Sequence, residues 1–151
     1  MNNISEFLSL GHRHCDDLFV DAENAMIDSD FGKAEAKYPA FQEEMETHFN
    51  LEENVMFLAF ESATGMSEGP TEMMRIEHMQ MRELLGQMKN ALTNRHSEDF
   101  LGLSETLLIL MQQHNFKEEN MLYRMADEVI GQDGAVIVER MKVLQGVHLH
   151  V

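Results

Sequence analysis

The sequence predicts an all-α protein, an up-down-up-down four-helix bundle with a short C-terminal segment, and three observations carry that prediction. The 151 residues include 2 prolines, 14 methionines, no tryptophan and only 7% aromatics, whereas strands draw on aromatic and β-branched residues. Four breaker clusters, Asp28 to Gly32, Thr64 to Pro70, Thr93 to Ser97 and Gly131 to Gly134, leave four helix-length stretches between them. Within those stretches apolar residues recur at alternating spacings of four and three, the pattern of nearly antiparallel bundle helices. A chain of this length makes one domain around one core.

Helix 1 is expected from about Ser5 to Asp28, with the seam Leu8, His12, Cys15, Phe19, Ala22 and Met26. Helix 2, from about Lys33 to Ala63, has the seam Phe41, Met45, His48, Glu52, Val55 and Ala59. Pro39 falls early in it and predicts a kink or a delayed start. Helix 3, from about Thr71 to Leu92, lines up Met74, His78, Met81, Leu85, Met88 and Leu92, and helix 4, from about Glu98 to Ile130, lines up Leu107, Leu110, His114, Glu118, Met121 and Met125. The tail 131–151 holds the run Ala135 to Leu144, expected either as a short helix covering one end of the bundle or as an interaction segment.

Charge excludes several functions. With 27 acidic and 11 basic residues the formal net charge is −16, so a nucleic-acid backbone or an acidic membrane surface is repelled. No apolar run approaches the roughly 18 residues of a membrane span, and the first residues lack a basic stretch followed by an apolar one, so a cytoplasmic location is expected. The single cysteine, Cys15, forbids an internal disulfide and any site needing two thiolates from one chain.

Each seam is apolar except for a histidine or a histidine and glutamate in its body, where an unsatisfied imidazole or carboxylate costs several kcal/mol. The segments His48-Phe49-Asn50-Leu51-Glu52 and His114-Asn115-Phe116-Lys117-Glu118 share one spacing, and residues four apart lie one turn apart on one helix face. Adding His12 and His78 brings four imidazoles and two carboxylates together. That donor mixture suits iron or manganese, and two glutamates can bridge two ions. No His-Glu-x-x-His or Glu-x-x-His pair is present, which excludes a zinc-protease site and the ferritin-like di-iron pattern. His14 stands about 200° around the helix from His12, so only one of them can face the core, and the row of Leu8 and Phe19 selects His12. Glu119 is turned a further 100° or so from His114 and is the weaker rival of Glu118. His96, His148 and His150 are expected in solvent, Cys15 either in packing or in a redox or substrate-facing role, and Arg82 either paired with a seam carboxylate or solvated.

These residues resemble the hemerythrin-like, or HHE cation-binding, family. The resemblance runs from His12-Arg13-His14-Cys15-Asp16 through His48-Phe49-x-Leu51-Glu52-Glu53 and Glu77-His78-x-x-Met81-Arg82 to Gln113-His114-Asn115-Phe116-Lys117-Glu118-Glu119-Asn120. It implies one hemerythrin-like domain over residues 1–151, with the bundle at about 5–130. It also implies six ligands, His12, His48, Glu52, His78, His114 and Glu118, with both glutamates bridging two iron ions that share an oxo or hydroxo bridge.

Oxygen-carrying hemerythrins have a second histidine one turn after the position of His78, where this chain has Arg82, and a final His-x4-Asp spacing, where this chain has Glu118. The pattern is closer to the repair-of-iron-centres branch. Leu58 and Arg124 replace prolines common in relatives, and Gly11 replaces an acidic residue expected to neighbour the helix 1 histidine. With Arg82 in place of the extra histidine, both irons are expected to be open. The function implied is redox or stress-response chemistry on oxygen, peroxide or nitric oxide, including repair of iron centres. Reversible oxygen or nitric-oxide binding or sensing, and iron buffering without catalysis, are the alternatives.

Overall fold

Asn3 starts the first helix: its side chain accepts the Glu6 N–H at 2.8 Å while the Glu6 carboxylate accepts the Asn3 N–H at 3.1 Å, satisfying two of the donors a helix start leaves unpaired. The computed structural model describes residues 3–149, with side chains through residue 146. Helix α1 spans Ile4–Ile27, α2 Phe31–Leu51, α3 Phe57–Thr64, α4 Pro70–Thr93, α5 Ser97–Lys117, α6 Tyr123–Ile130 and α7 Gly134–Leu149. Among the described residues there is no strand.

Four rods make the bundle: α1, α2 with α3, α4, and α5 with α6. Asp30 caps α2 by accepting the Lys33 N–H at 3.1 Å, and Asp127 of α6 accepts the free N–H groups of Ile4 and Ser5 at 3.0 and 3.3 Å. The connections are tight enough to put Ser29 and Arg95 at positive φ (53° and 56°), and Gly65 ends α3 in the left-handed region at φ 71°, where glycine carries no Cβ penalty. Helix α2 begins at Phe31 and runs on past Pro39, so the delayed start does not occur.

Two of the rods are not regular α-helix throughout. A five-residue π-helical turn, Glu52–Met56, joins α2 to α3, and another, Glu118–Leu122, joins α5 to α6. Each starts at the glutamate of a His-x3-Glu pair and closes with an i→i+5 bond, from the Phe57 N–H to the Glu52 carbonyl and from the Tyr123 N–H to the Glu118 carbonyl. The turn shifts every later residue around the rod. An unbroken α-period puts Ala59, Met121 and Met125 on the seams, yet Met121 and Met125 are exposed and Ala59 only half-buried, while Phe60, Leu122, Tyr123 and Ala126 are buried.

The apolar interior is divided in two. One cluster holds Phe19, Met26, Tyr38, Phe41, Leu85 and Phe100; the other holds Ile4, Leu8, Phe57, Phe60, Tyr123 and Met141. The buried histidines and glutamates belong to neither, and form a polar group between them. Helix α7 closes the second cluster with Ile137, Val138 and Met141, all buried, and packs on α1, α2 and the first π turn. Of the two readings of the tail, the helix covering one end is therefore the one observed; burial of Ile137 and Val138 overrides their weak helix propensity. None of the described helices is long and apolar enough to cross a membrane.

Candidate metal centre

Each rod contributes one histidine to the polar group, His12 from α1, His48 from α2, His78 from α4 and His114 from α5, and the two π turns contribute Glu52 and Glu118. All six are buried, none more than 5% exposed. The structure brings every one of them together. His12, His48, Glu52 and Glu118 offer donor atoms within 4.8 Å of one another, and so do Glu52, His78, His114 and Glu118. Both glutamates belong to both groups.

The donors fit a cation better than they fit one another. Glu52 Oε1, His78 Nε2, His114 Nε2 and Glu118 Oε2 are fully buried without a hydrogen-bond partner. Their nearest pairings, His78 Nε2 to Glu52 Oε1 at 3.0 Å and His114 Nε2 to Glu118 Oε2 at 3.1 Å, have the distance but not the angle of a hydrogen bond. Leaving four such atoms unpaired is costly, and a divalent cation accepting imidazole nitrogen and carboxylate oxygen removes the cost.

Carboxylates on the far side of three rings hold the inward nitrogens in place. Glu119 bonds His12 Nδ1 at 2.7 Å, Glu53 bonds His78 Nδ1 at 2.6 Å, and Glu77 bonds His114 Nδ1 at 2.8 Å. Each pairing fixes the tautomer with Nε2 free to ligate. Two cations steady those carboxylates: Lys117 pairs with Glu77, and Arg82 reaches Glu53 and Glu46, both at 2.9 Å. Arg82 is thus paired, but with Glu46 and Glu53 beside the seam rather than with a seam carboxylate.

Residues 3–126 match the family described as the hemerythrin HHE cation-binding domain. The chain belongs to that family. Comparison with curated proteins and with solved structures gives no match.

Protonation in this hemerythrin-like centre follows from its crowding. Burial alone depresses an imidazole, but Glu118 and Glu119 overcome it and carry His12 up to about 9. At His114 burial is likewise outweighed, by Glu118 and Glu77, and the ring rises to about 10. His78 also rises against its burial, with Glu52 and Glu53 beside it. His48 goes the other way, driven well down by burial and by the neighbouring His12 charge. Burial and the Glu118 charge push Glu52 up to about 7, while His114 and His12 hold Glu118 well below the carboxylate range despite its burial. Glu53 is buried enough to rise, but His78 and Arg82 bring it down to about 2. His12, His78, His114 and Glu52 thus hold protons more tightly than usual in the metal-free protein, and a metal bound there would displace them.

One expectation changes with the structure in view. Gly11 does not deprive His12 of a neighbour, since Glu119 takes that role; the ring it touches is His48. A Cβ at Gly11 would lie 2.6 Å from His48 Nδ1, and no hydrogen bond to that nitrogen is seen among the described residues. A cavity of about 240 Å³ beside it is lined by Leu10, Gly11, Glu44, His48 and Lys142 among others. His14 points away, its side chain 58% exposed and 3.8 Å from Glu44, and Glu119 acts on a histidine from outside the cluster. Cys15 is buried in the first apolar cluster, and burial pushes its thiol far up, which suits packing rather than reactivity. His96 is exposed at the start of α5; His150 and the side chain of His148 lie outside the described residues.

Tyr123 is the residue the sequence reading missed. It is fully buried, and its hydroxyl lies 2.5 Å from Glu52 Oε2, 2.9 Å from Glu118 Oε1, 3.0 Å from His12 Nε2 and 3.4 Å from His48 Nε2. Burial and the two glutamates raise its phenol well above the ordinary value. A signal was present: His-Phe-Asn-Leu-Glu-Glu-Asn-Val-Met-Phe and His-Asn-Phe-Lys-Glu-Glu-Asn-Met-Leu-Tyr end on an aromatic at the same place, five residues after the inward glutamate.

Proposed function

We propose that the chain is a non-haem di-iron protein whose six ligands are His12, His48, Glu52, His78, His114 and Glu118, with both glutamates bridging and an oxo or hydroxo group between the ions. One observation carries the reading: two cation-sized donor groups overlap at the same two carboxylates, an arrangement that holds two ions side by side. Imidazole and carboxylate donors without thiolate favour iron or manganese among the transition metals, and membership of a cation-binding family adds to that choice.

Two adjacent iron ions supply two-electron chemistry toward oxygen, peroxide or nitric oxide. The chain's own residues make the setting for it. Glu119, Glu53 and Glu77 keep protons on the outer nitrogens of His12, His78 and His114, so the inner nitrogens stay free. Apolar clusters on both sides keep bulk water from the centre. Arg82 is turned to Glu46 and Glu53 rather than inward, so no third nitrogen fills the His78 side. That leaves room for a small ligand and favours redox or stress-response chemistry, with repair of iron centres within its range. We place the whole chain in a single domain.

The deciding experiment is elemental analysis of anaerobically reconstituted protein, followed by stopped-flow absorption of the reduced protein mixed with oxygen or nitric oxide. Two irons per chain, with irreversible oxidation by oxygen, is the expected result. One tightly held zinc with no recoverable iron overturns the di-iron reading. Full return to the reduced state over repeated cycles of oxygen removal makes the protein a carrier or sensor, and inertness to both gases leaves iron buffering.

A further inference from the structure

The hydroxyl of Tyr123 is enclosed by four atoms, each a nitrogen or oxygen of a proposed ligand, at 2.5 to 3.4 Å. A phenol has one proton and can donate it to only one of them. The phenol oxygen can accept from the imidazoles, but its one proton serves only one of the two carboxylates, so hydrogen bonding leaves the close approach to the other unexplained. The distances have another meaning. Nitrogen and oxygen donors about 2.1 Å from one metal ion and at right angles to each other stand about 3 Å apart. His12 Nε2 and Glu118 Oε1 are themselves 3.0 Å apart, and the phenol oxygen completes the same spacing with His12, Glu118 and Glu52. An ion held between His12 and His48 would find the phenol oxygen at the spacing of a fifth donor.

The other ion has no equivalent. Phe57 follows Glu52 by five residues as Tyr123 follows Glu118, and the two rings are placed alike. Phe57 stacks on His78 with centroids 5.7 Å apart and planes at 20°, Tyr123 on His12 at 5.6 Å and 24°. The His78 and His114 side thus has the ring without the hydroxyl. It is also the side that holds two of the unpartnered imidazole nitrogens.

We propose that Tyr123 is a seventh protein ligand, a phenolate bound to the ion between His12 and His48, and that the two ions are unequal because of it. The inference rests on the di-iron reading above. When the ion binds, the phenol O–H bond breaks, its proton leaves to solvent, and the oxygen lone pair forms the bond to iron; no electron changes hands. The consequence is that positions for a small ligand lie mainly on the ion between His78 and His114, not equally on both.

Phenolate bound to iron(III) absorbs visible light by charge transfer, and excitation in that band enhances tyrosine ring vibrations in the Raman spectrum. The chain has two tyrosines, and Tyr38 is held in the first apolar cluster with its hydroxyl on the Leu85 carbonyl at 2.5 Å. Any such signal therefore reports Tyr123. The test is resonance Raman and absorption of air-oxidised, iron-loaded protein, with iron content measured on the same samples. The expected result is a tyrosinate band in the wild type, its complete loss in Tyr123→Phe, and its retention in His14→Ala. Should Tyr123→Phe fail to fold, ring-deuterated tyrosine in the wild type must shift the same vibrations. Two irons per chain with no tyrosinate signal overturns the seventh ligand and leaves the di-iron reading standing; a chain that takes up no iron pair overturns both.

Discussion

The half of the site that carries His78 and His114 and the half that carries His12 and His48 start from the same repeat, yet only the first has a carboxylate on both imidazoles. Glu77, just before His78, reaches across to His114 and is itself paired with Lys117. The corresponding places in the other half are Gly11 and Leu51, so His48 meets a bare backbone where His114 meets a charged side chain. Two cations and three carboxylates surround the first half; the second has Glu119, the Tyr123 hydroxyl and a cavity. The repeat fixes which residues face the shared centre, and the neighbours fix how firmly they are held. A glycine one residue before an inward histidine is enough to change the second without changing the first.

The largest effect is expected where the halves meet. Glu52→Ala or Glu118→Ala removes a donor from both groups, and near-complete loss of iron by elemental analysis is expected, while His14→Ala keeps it. Retention of one firmly held ion in Glu52→Ala would mean that the halves are independent sites. The next effect separates them. Gly11→Ala puts a methyl group 2.6 Å from His48 Nδ1 and should halve the iron content, although alanine adds up to about 1 kcal/mol of helix propensity. Unchanged iron would show that the His48 ring can shift without cost.

A milder change tests the braced half. Glu77→Gln keeps an acceptor for His114 but removes the charge that Lys117 pairs with, and such outer partners are worth about 10–100-fold in metal affinity. Metal titration should show that loss in one of two binding steps only; loss in both would mean that the bracing is shared. The smallest effect is on the metal-free protein. His12, His114 and Glu52 bind protons more tightly folded than unfolded, with values up to about 9, 10 and 7. Their contribution is full below the unfolded values and is lost as pH rises through the folded ones. His48, shifted down, opposes this only below its ordinary value. The Tm of the metal-free protein should therefore fall between about pH 7 and 10, and that of the iron-loaded protein should not, since metal has displaced those protons. Parallel curves for the two forms would place the raised groups outside the ligand set.

The sequence made the bundle and the six inward residues legible because both rest on the α-helical period, and none of the six lies beyond a π turn on its own rod. Past those turns the period misleads. The period puts Met121 and Met125 inside, where the structure has them outside, and it turns Tyr123 about 140° from Glu118, off the seam. Nothing in the composition of Glu-Glu-Asn-Val-Met or Glu-Glu-Asn-Met-Leu announces a wider turn. Gly11 was legible as a missing acid, but which histidine it concerned depended on Glu77 crossing from α4 to α5, a tertiary contact that spacing along one helix does not contain.

The π turns make each rod a shaft with a clutch. On one side of Glu118 the helix presents His114 to the centre, and on the other it presents Tyr123, a face that an unbroken α-helix would have rotated away. Winding the same residues into an unbroken α-helix would turn everything downstream by about 100°, carrying Tyr123, Leu122 and Ala126 out of the interior and Met121 and Met125 toward it. The backbone would gain regularity, the two rows of buried side chains would no longer coincide, and the irregularity shows itself to be the part of the helix that is tuned.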